Sequence, residues 1–389
     1  MHDVICFSHV RWGCSHERPH HLMRRAARDR RVWFVEEPVF GAAAPRLQRS
    51  VTPDGVAVCV PHLPDGLPPL ATAQALAALL EQLVMVEGID APVAWLYTPM
   101  MLPMVEAVEP RAVVYDCMDA LWAAHFVSPE LLLREHALLA ASSLVFTSGR
   151  RLFEARRRSH PRVHLFPSSA DTSHFAQART PGIPEPEALR GLPSPRLCWI
   201  GDIDERLNLP LLAEAARRRP MWSWVMIGPT SGFAPHALPR SPNLHWFGPR
   251  DYADLPAHLA HVDLGILPLA RIQGPGGDGT QEHAPPDSAP TRTAEYLSAG
   301  LPVVSTSAAD RGDSFGEPGL VYQADDAATF VSACERALAE RADPERQRRV
   351  DRFLGERSWD TTWAEMDRLI RGLAEHPASA LRSATQSGR

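Results

Sequence analysis

Leu197-Cys198-Trp199-Ile200-Gly201-Asp202-Ile203-Asp204-Glu205-Arg206-Leu207-Asn208-Leu209-Pro210 is the run on which the fold turns. Four apolar residues are too few for a helix but suit a strand buried on both faces. Gly201 ends the run, a polar stretch follows, and a helix is expected over Pro210–Arg218, with its proline in the first turn where a missing N–H costs nothing. A short apolar strand, a loop and a helix form the repeating unit of a parallel sheet covered by helices.

The same alternation continues downstream. Strands are expected at Ser223–Ile227, Leu244–Phe247, Leu264–Leu267 and Pro302–Ser305, and helices at Leu255–His261, Thr291–Ala299 and Ala327–Glu340. Gly300 stands where a helix ends in the left-handed conformation. Upstream, Thr180–Pro195 holds five prolines and little apolar periodicity, which reads as an interdomain linker. Before it lies a second alternating series. Its strands are Val4–Phe7, Val32–Val35, Val56–Val60, Val93–Tyr97, Ala112–Tyr115, Leu144–Thr147 and Val163–Phe166. Its helices open near Pro19 and cover Leu76–Val86, Pro103–Val108, Glu130–Ser142 and Arg151–Arg157. The fold class is α/β, with an N-terminal Rossmann-like domain over 1–180 and a C-terminal one over 196–357. Trp359, Trp363, Met366 and Ile370 recur at helical spacing, so 358–376 is expected to be a helix returning to the first domain, followed by a disordered tail over 377–389.

Composition removes whole classes of chemistry. All 40 basic residues among the 389 are Arg and none is Lys. A Walker A loop, a protein-kinase ATP site and a Schiff-base enzyme each need a lysine and are excluded. A GC-rich coding genome explains the bias itself. Net charge is −6, confined to 181–389, where 22 Arg face 28 Asp and Glu; this argues against nucleic-acid binding through a broad basic surface. The six cysteines contain no Cys-x-x-Cys pair, as in a reduced compartment. With no signal-peptide pattern and no run of 18 uncharged apolar residues, the expectation is a cytoplasmic protein, at most peripherally membrane-associated.

Two motifs mislead. His16-Glu17-Arg18-Pro19-His20 matches the zinc-protease pattern, but that geometry needs one helix through both histidines, and Pro19 belongs at a helix start. No metal site is expected. The glycine-rich Gly274–Gly279 run neither follows a strand nor opens a helix, so Arg271–Asp287 reads as a loop over a site rather than a dinucleotide fingerprint.

The stronger signal lies in the second domain. Arg206 follows a strand end, where ligands sit in open α/β sheets, and its guanidinium can fork two hydrogen bonds to phosphate oxygens. In Pro290-Thr291-Arg292-Thr293-Ala294-Glu295, free N–H groups at Thr291 to Thr293 would face a diphosphate, Arg292 would add charge, and Glu295 would accept from ribose hydroxyls.

These residues carry a resemblance. ERPHHLMRRAA (17–27), VVYDCMDAL (113–121), LVFTSGRRLFEARR (144–157) and HPRVHLFPSSADTSHF (160–175) resemble segments of the group 1, or family 4, retaining glycosyltransferases. So do LCWIGDIDERLNLPLLAEAA (197–216), PNLHWFGPRDYADLPAHLAHVDLGILPL (242–269) and PTRTAEYLSAGLPVVST (290–306), the last two being the most specific. The resemblance, over roughly residues 3–370, implies the GT-B fold, with two Rossmann-like domains facing across a cleft. It implies metal-independent transfer of a sugar from a nucleotide-diphosphate donor, UDP first among the bases, to a small-molecule, lipid-linked or glycan acceptor, with retention of configuration. A non-catalytic nucleotide-sugar-binding protein or a nucleotide-sugar epimerase is the alternative.

Carried over by position, Glu295 is the second acid of the family's Glu-x7-Glu motif and Asp287 stands at the first. Arg206 matches the Arg of the phosphate-binding Arg…Lys pair; His245, Trp246 and Phe247, with Gly228 at the preceding strand end, match the base-reading segment; Trp12 and Gly13 match the first-strand loop near the donor phosphates. The partner Lys is absent, with Asn208 and Leu209 in its place, so Arg292 is the candidate for the second charge. Asp287 is shorter than Glu, and Ser168-Ser169-Ala170-Asp171 replaces the usual Asn-Gly-Val-Asp hinge. For the catalytic group of the first domain, His125, His20 and Asp119 compete.

Overall fold

The structure is a computed structural model that describes residues 2–13, 17–118, 128–167, 169–231, 237–270, 272–273, 282–283, 288–306, 320–355 and 357–373. The chain forms two units, 1–167 with 359–389, and 168–358.

The first unit opens with β1 (Val4–Ser8), α1 (Arg18–Ala26), β2 (Val32–Glu36), β3 (Val39–Phe40), β4 (Arg46–Val51), β5 (Val56–Leu63) and α2 (Pro69–Glu87). It continues with β6 (Val93–Leu96), β7 (Ala112–Cys117), α3 (Pro129–Ala141), β8 (Leu144–Thr147), α4 (Arg150–Arg156) and β9 (Val163–Leu165). The strands order as β3-β5-β2-β1-β6-β7-β8-β9, with β4 antiparallel on β5. Central β1 is buried along its whole length and pairs in parallel on both sides, Val4 opposite Val32 and Val93. That is why its sequence is an unbroken apolar run. The mostly exposed β4 carries Arg46 and Arg49, charges that keep it from templating further strands. Pro103–Val108, expected to be helical, instead falls in two 3-10 turns, Pro99–Met104 and Glu106–Val108, with Pro103 inside the first. By length and composition α2 is apolar enough to cross a membrane; here Leu76, Leu79, Leu80 and Leu83 are buried in the core of this unit.

The second unit contains α5 (Thr172–Ala176), β10 (Arg196–Ile200), α6 (Leu209–Arg218), β11 (Ser223–Ile227), β12 (Leu244–Gly248), α7 (Leu255–Ala260) and β13 (Leu264–Leu267). A two-stranded ribbon of β14 (Ile272–Gln273) and β15 (Glu282–His283) follows, then α8 (Ser288–Ser298), β16 (Val303–Thr306), β17 (Val321–Ala324), α9 (Ala327–Ala339) and α10 (Pro344–Gly355). The sheet order is β12-β11-β10-β13-β16-β17, every pair parallel. From β10 the connections run one way to β11 and β12; β13 to β17 extend the other way. The switch point, where an open sheet leaves a crevice at its carboxyl edge, therefore falls between β10 and β13.

The boundary differs from the sequence expectation. The chain enters the second unit at 168, not after 180, because Phe175, Ala178 and Leu189 are buried in the second core. The proline-rich stretch is a strap over that core: Arg196 holds it through Glu185 at 2.5 Å and the Leu192 carbonyl at 3.0 Å. At the other end, Ala170 bridges in parallel to Ser358, and α11 (Trp359–Gly372) belongs to the first unit. There Trp359, Trp363, Met366 and Ile370 are buried, each contributing about 1.5–3 kcal/mol. His21 stacks on Trp359 at 5.1 Å, Arg30 pairs with Asp367 out of solvent, and Arg25 and Arg28 share Asp360. Asp360 is 54% exposed. Asp360→Ala should therefore cost at most about 1 kcal/mol in urea unfolding.

Candidate functional site

The crevice at the β10–β13 switch point is built on two glycines. At Gly228 (φ +147°), a Cβ would stand 1.9 Å from the Gly201 carbonyl oxygen; at Gly201 (φ +150°), it would stand 3.1 Å from Arg292 Nε and from Trp199. The ends of β10 and β11 thus form a bare backbone floor, on which the Arg292 guanidinium lies. Gly201 N–H donates to the Ile227 carbonyl at 2.9 Å, and Gly228 N–H to the Gly248 carbonyl at 2.9 Å, carrying the floor on to the end of β12.

Helix α8 is locked to that floor by Tyr296, whose hydroxyl accepts from Ile200 N–H at 2.7 Å. Its ring fits only because residue 265 is glycine, where a Cβ would lie 2.4 Å from the ring. One residue earlier, Glu295 is 4% exposed. Burial pushes its carboxyl up to about 7, with Arg292 pulling it down and Asp171 pushing it further up. The Arg292 Nη1 lies 3.6 Å from Glu295 Oε2. Because the unfolded chain ionises this group in the ordinary carboxylate range, its stabilising contribution is complete below that range and is lost as pH rises through about 7.

The helix starts earlier than expected. With Ser288 as its first residue, the unbonded N–H groups of the first turn belong to Ser288 and Ala289, Pro290 having none, and the helical ladder begins at Thr291 N–H. The N–H groups of Arg292 and Thr293 fall inside the helical ladder, so these two residues contribute side chains rather than backbone donors. Thr293 is buried and Thr291 half-buried.

Arg206 is differently placed. Its Nε lies 2.9 and 2.8 Å from the two Asp204 carboxylate oxygens, and its Nη2 lies 3.2 Å from Asp202. The hydrogen bond to Asp204 heads the causes raising its pKa, and the three groups together carry net charge −1. Asn208 is committed as the cap of α6, accepting from Leu211 N–H at 3.0 Å. Beside them a cavity of about 450 Å³ is lined by Glu205, Asn208, Ala270, Thr306 and Asp325, among others, with no cation among its described lining residues. Among the described residues that cavity presents two carboxylates and no counter-charge, which disfavours an anion there.

His245, Trp246 and Phe247 lie on the edge strand β12, one strand removed from β10. Trp246 Nε1 donates to the Pro239 carbonyl at 3.2 Å, Arg250 sits 5.8 Å over the Phe247 ring, and burial lowers the pKa of His245. In the first unit, Trp12 packs 4.9 Å from both His20 and Phe34, and its N–H donates to Glu36 at 2.8 Å; neighbouring Gly13 is exposed. His20 has both ring nitrogens engaged, Nδ1 accepting from Glu17 N–H at 3.1 Å and Nε2 at 3.2 Å from the Trp12 carbonyl. That arrangement clamps the loop. Asp119, His125 and Asp287 lie outside the described residues, as do the glycine-rich run and the 377–389 tail.

Two features escaped the sequence. Arg18 Nε lies 3.0 Å from both oxygens of the fully buried Asp116, and its Nη1 donates to the Phe166 carbonyl at 2.8 Å, joining the start of α1 to the ends of β7 and β9. Asp171 caps α5, accepting from His174 N–H at 3.3 Å, and α5 packs against α8. The hinge segment was quoted for its difference from a motif, not for this carboxylate.

Comparison with known proteins agrees with this architecture. The family described as Glycosyl transferases group 1 matches residues 194–340. A putative teichuronic acid biosynthesis glycosyltransferase of Bacillus subtilis (strain 168), TuaH, is 28% identical over 251 residues, 59% of this chain. The aligned stretch spans 59% of that relative's length. A sucrose-phosphate synthase from Thermosynechococcus elongatus superposes with a TM-score of 0.66 at 16% identity, over 96% of this chain and 100% of that one. Anabaena HepE, solved with UDP and glucose, gives 0.65 at 13%, over 95% and 99%. Residues 194–340 match the group 1 glycosyltransferases, and the two parallel-sheet units have the GT-B fold of these solved structures.

Proposed function

We propose that this chain transfers a sugar from a nucleotide-diphosphate donor, UDP first among the bases, to an acceptor hydroxyl, with retention and without a divalent metal. One observation carries the reading: a buried carboxylate, Glu295, beside an arginine that lies on a glycine floor at the switch point. Glu295 would take the vicinal ribose hydroxyls and Arg292 the diphosphate, with the base extending toward His245–Phe247. A solved neighbour bound with UDP-2-fluoro glucose and another with UDP and glucose support a UDP donor.

The reaction breaks the bond from the anomeric carbon to the diphosphate oxygen and forms one to the acceptor oxygen, which gives up its proton. Negative charge grows on the departing diphosphate, so a fixed guanidinium helps more in the transition state than in the ground state. Asp287 or Asp119 remains the candidate to face positive charge at the anomeric carbon. Lipid-linked, glycan and small-molecule acceptors all fit.

The experiment is a screen of UDP-, GDP- and dTDP-sugars by thermal shift, followed by turnover assays with a range of acceptors. Turnover should survive EDTA unchanged; loss of activity in EDTA that added metal restores would remove the metal-independent mechanism. Because two aspartates already neutralise Arg206, Arg206→Ala is expected to lower turnover by less than about tenfold; a larger loss would return the phosphate role to that residue. The same neutralisation favours the second reading, a binding protein without transfer. Protection by a nucleotide sugar with no turnover on any acceptor would establish it.

A further inference from the structure

We propose that the cavity beside the 202–208 loop holds the sugar ring of the donor and, through Glu205 and Asp325, admits an uncharged sugar while rejecting a hexuronate. The inference rests on the nucleotide-sugar reading proposed above and adds to it the class of sugar.

The described lining of the cavity belongs wholly to the second unit and lies at the carboxyl edge of its sheet. Part of it is the loop between β10 and α6, which is stapled across the switch point to the end of β13. Asn208 N–H donates to the Pro268 carbonyl at 2.8 Å, Ala270 N–H donates to the Arg206 carbonyl at 2.8 Å, and Leu207 bridges antiparallel to Leu269. The ends of β16 and β17 contribute Thr306 and Asp325. Thr306 is fixed, its hydroxyl donating to the Leu269 carbonyl at 2.9 Å and accepting from Leu269 N–H at 3.1 Å. At about 450 Å³ the space falls in the range of small-molecule sites, about 300–1,000 Å³. Glu205 is four residues from Gly201, on whose backbone Arg292 lies, so the two Cα atoms are at most about 14 Å apart. With the base toward β12 and the diphosphate over the ends of β10 and β11, the sugar end of the donor falls on the β13 side of the sheet, where the cavity is.

The groups presented match hydroxyls. Among the described residues Glu205 makes no ion pair or hydrogen bond, so both its oxygens are left to accept. Asp325 brings a second carboxylate to the same lining. Asn208 commits its side-chain oxygen to Leu211 N–H at 3.0 Å, which leaves its NH2 group to donate. Leu207 and Leu269 add apolar surface for the C–H face of a sugar ring. Acceptor-only carboxylates, an amide donor and apolar surface together complement a ring that carries hydroxyls. They do not complement a carboxylate. Asp202, Asp204 and Glu205 against Arg206 leave the loop at net −2, Arg206 is already paired with both aspartates, and Asp325 adds a further negative charge. A hexuronate would bring its own charge to two carboxylates, with no cation among the described lining residues to offset it. The selection is therefore by repulsion of the wrong sugar as well as by contacts to the right one.

The test titrates the full chain calorimetrically with UDP, UDP-glucose, UDP-galactose and UDP-glucuronate. Glucose and glucuronate differ only at C6, a hydroxymethyl against a carboxylate. The tighter of the two neutral nucleotide sugars should bind about tenfold or more above UDP-glucuronate, the loss expected of one like charge set near two partly solvated carboxylates. In about 1 M salt the ratio should fall to about threefold or less, because the repulsion is screened. Glu205→Gln and Asp325→Asn each remove one charge and keep the side-chain size. Each should strengthen UDP-glucuronate about threefold and change UDP, which places no sugar in the cavity, by less than about twofold. Both side chains are exposed, so the unliganded melting temperatures should stay near that of the parent. UDP-glucuronate bound as tightly as the neutral sugars, a ratio that neither variant moves, or binding of UDP without either neutral sugar would overturn the inference while leaving nucleotide binding intact. If UDP and all three nucleotide sugars fail to bind, the functional reading fails and takes this inference with it.

Discussion

Arg292→Ala is expected to lower sugar transfer by two to three orders of magnitude, the usual loss on removing one preorganised transition-state charge donor, while the unliganded protein melts as before. The side chain is half-buried, lies on Gly201, and has Glu295 at 3.6 Å as its nearest carboxylate among the described residues. Arg206 directs its Nε and Nη2 groups to Asp204 and Asp202, whereas Arg292 faces a carboxyl pushed up to about 7 and so partly protonated at neutral pH. Among the described residues of this unit's crevice, its charge can be offered to a diphosphate without first breaking a close ion pair. Removing it acts twice. The leaving group loses its counter-charge, and Glu295 loses the influence that pulls its pKa down, so its proton is held to higher pH and ribose binding weakens further. Arg292→Lys should recover part of the rate, because a point charge remains although the fork is lost. Turnover in Arg292→Ala within about threefold of the parent would place the leaving-group charge elsewhere. A loss confined to KM with kcat unchanged would make Arg292 a ground-state contact, not one that strengthens as the bond breaks.

The weighting of the two arginines marks how far the sequence reaches. Strand–loop–helix at 197–218 and the helix before Gly300 were legible because buried parallel strands must be apolar throughout and helices end on glycine. Glu295 was legible through its spacing within a recognisable motif. Arg206 was visible as a residue but not as an occupied one: Asp202 and Asp204 stand in the same line of sequence, yet only the folded loop brings both carboxylates onto its guanidinium. The unit boundary was hidden for a similar reason. Proline enrichment marks a segment that is not helix or strand, and such a segment can be a free linker or a strap pinned by Leu189 and Arg196; composition is the same in both cases. The packing of α5 against α8 is a contact across more than a hundred residues that no local pattern announces.

Gly228→Ala should cost the second unit more than about 4 kcal/mol, in the range reserved for substitutions that break a specific structural requirement. The added Cβ would sit 1.9 Å from the Gly201 carbonyl oxygen and 2.7 Å from its carbon, and the obstacle is backbone, with no rotamer to swing aside. The residue's φ of +147° adds a second penalty, because L side chains avoid that region. Relief requires the ends of β10 and β11 to separate. That motion breaks the Gly201 N–H to Ile227 bond and tilts the surface on which Arg292 lies. Stability and donor binding should therefore fail together, a coupling that neither Arg292→Ala nor Glu295→Gln is expected to produce. Gly372→Ala is the control: nothing lies within 4 Å of its added methyl, and alanine at the end of α11 should leave stability unchanged or raise it by up to about 1 kcal/mol. Urea unfolding followed by circular dichroism, with UDP-glucose affinity measured in parallel, checks both. If Gly228→Ala unfolds within about 1 kcal/mol of the parent and still binds the nucleotide sugar, the two strand ends do not form the rigid floor described here.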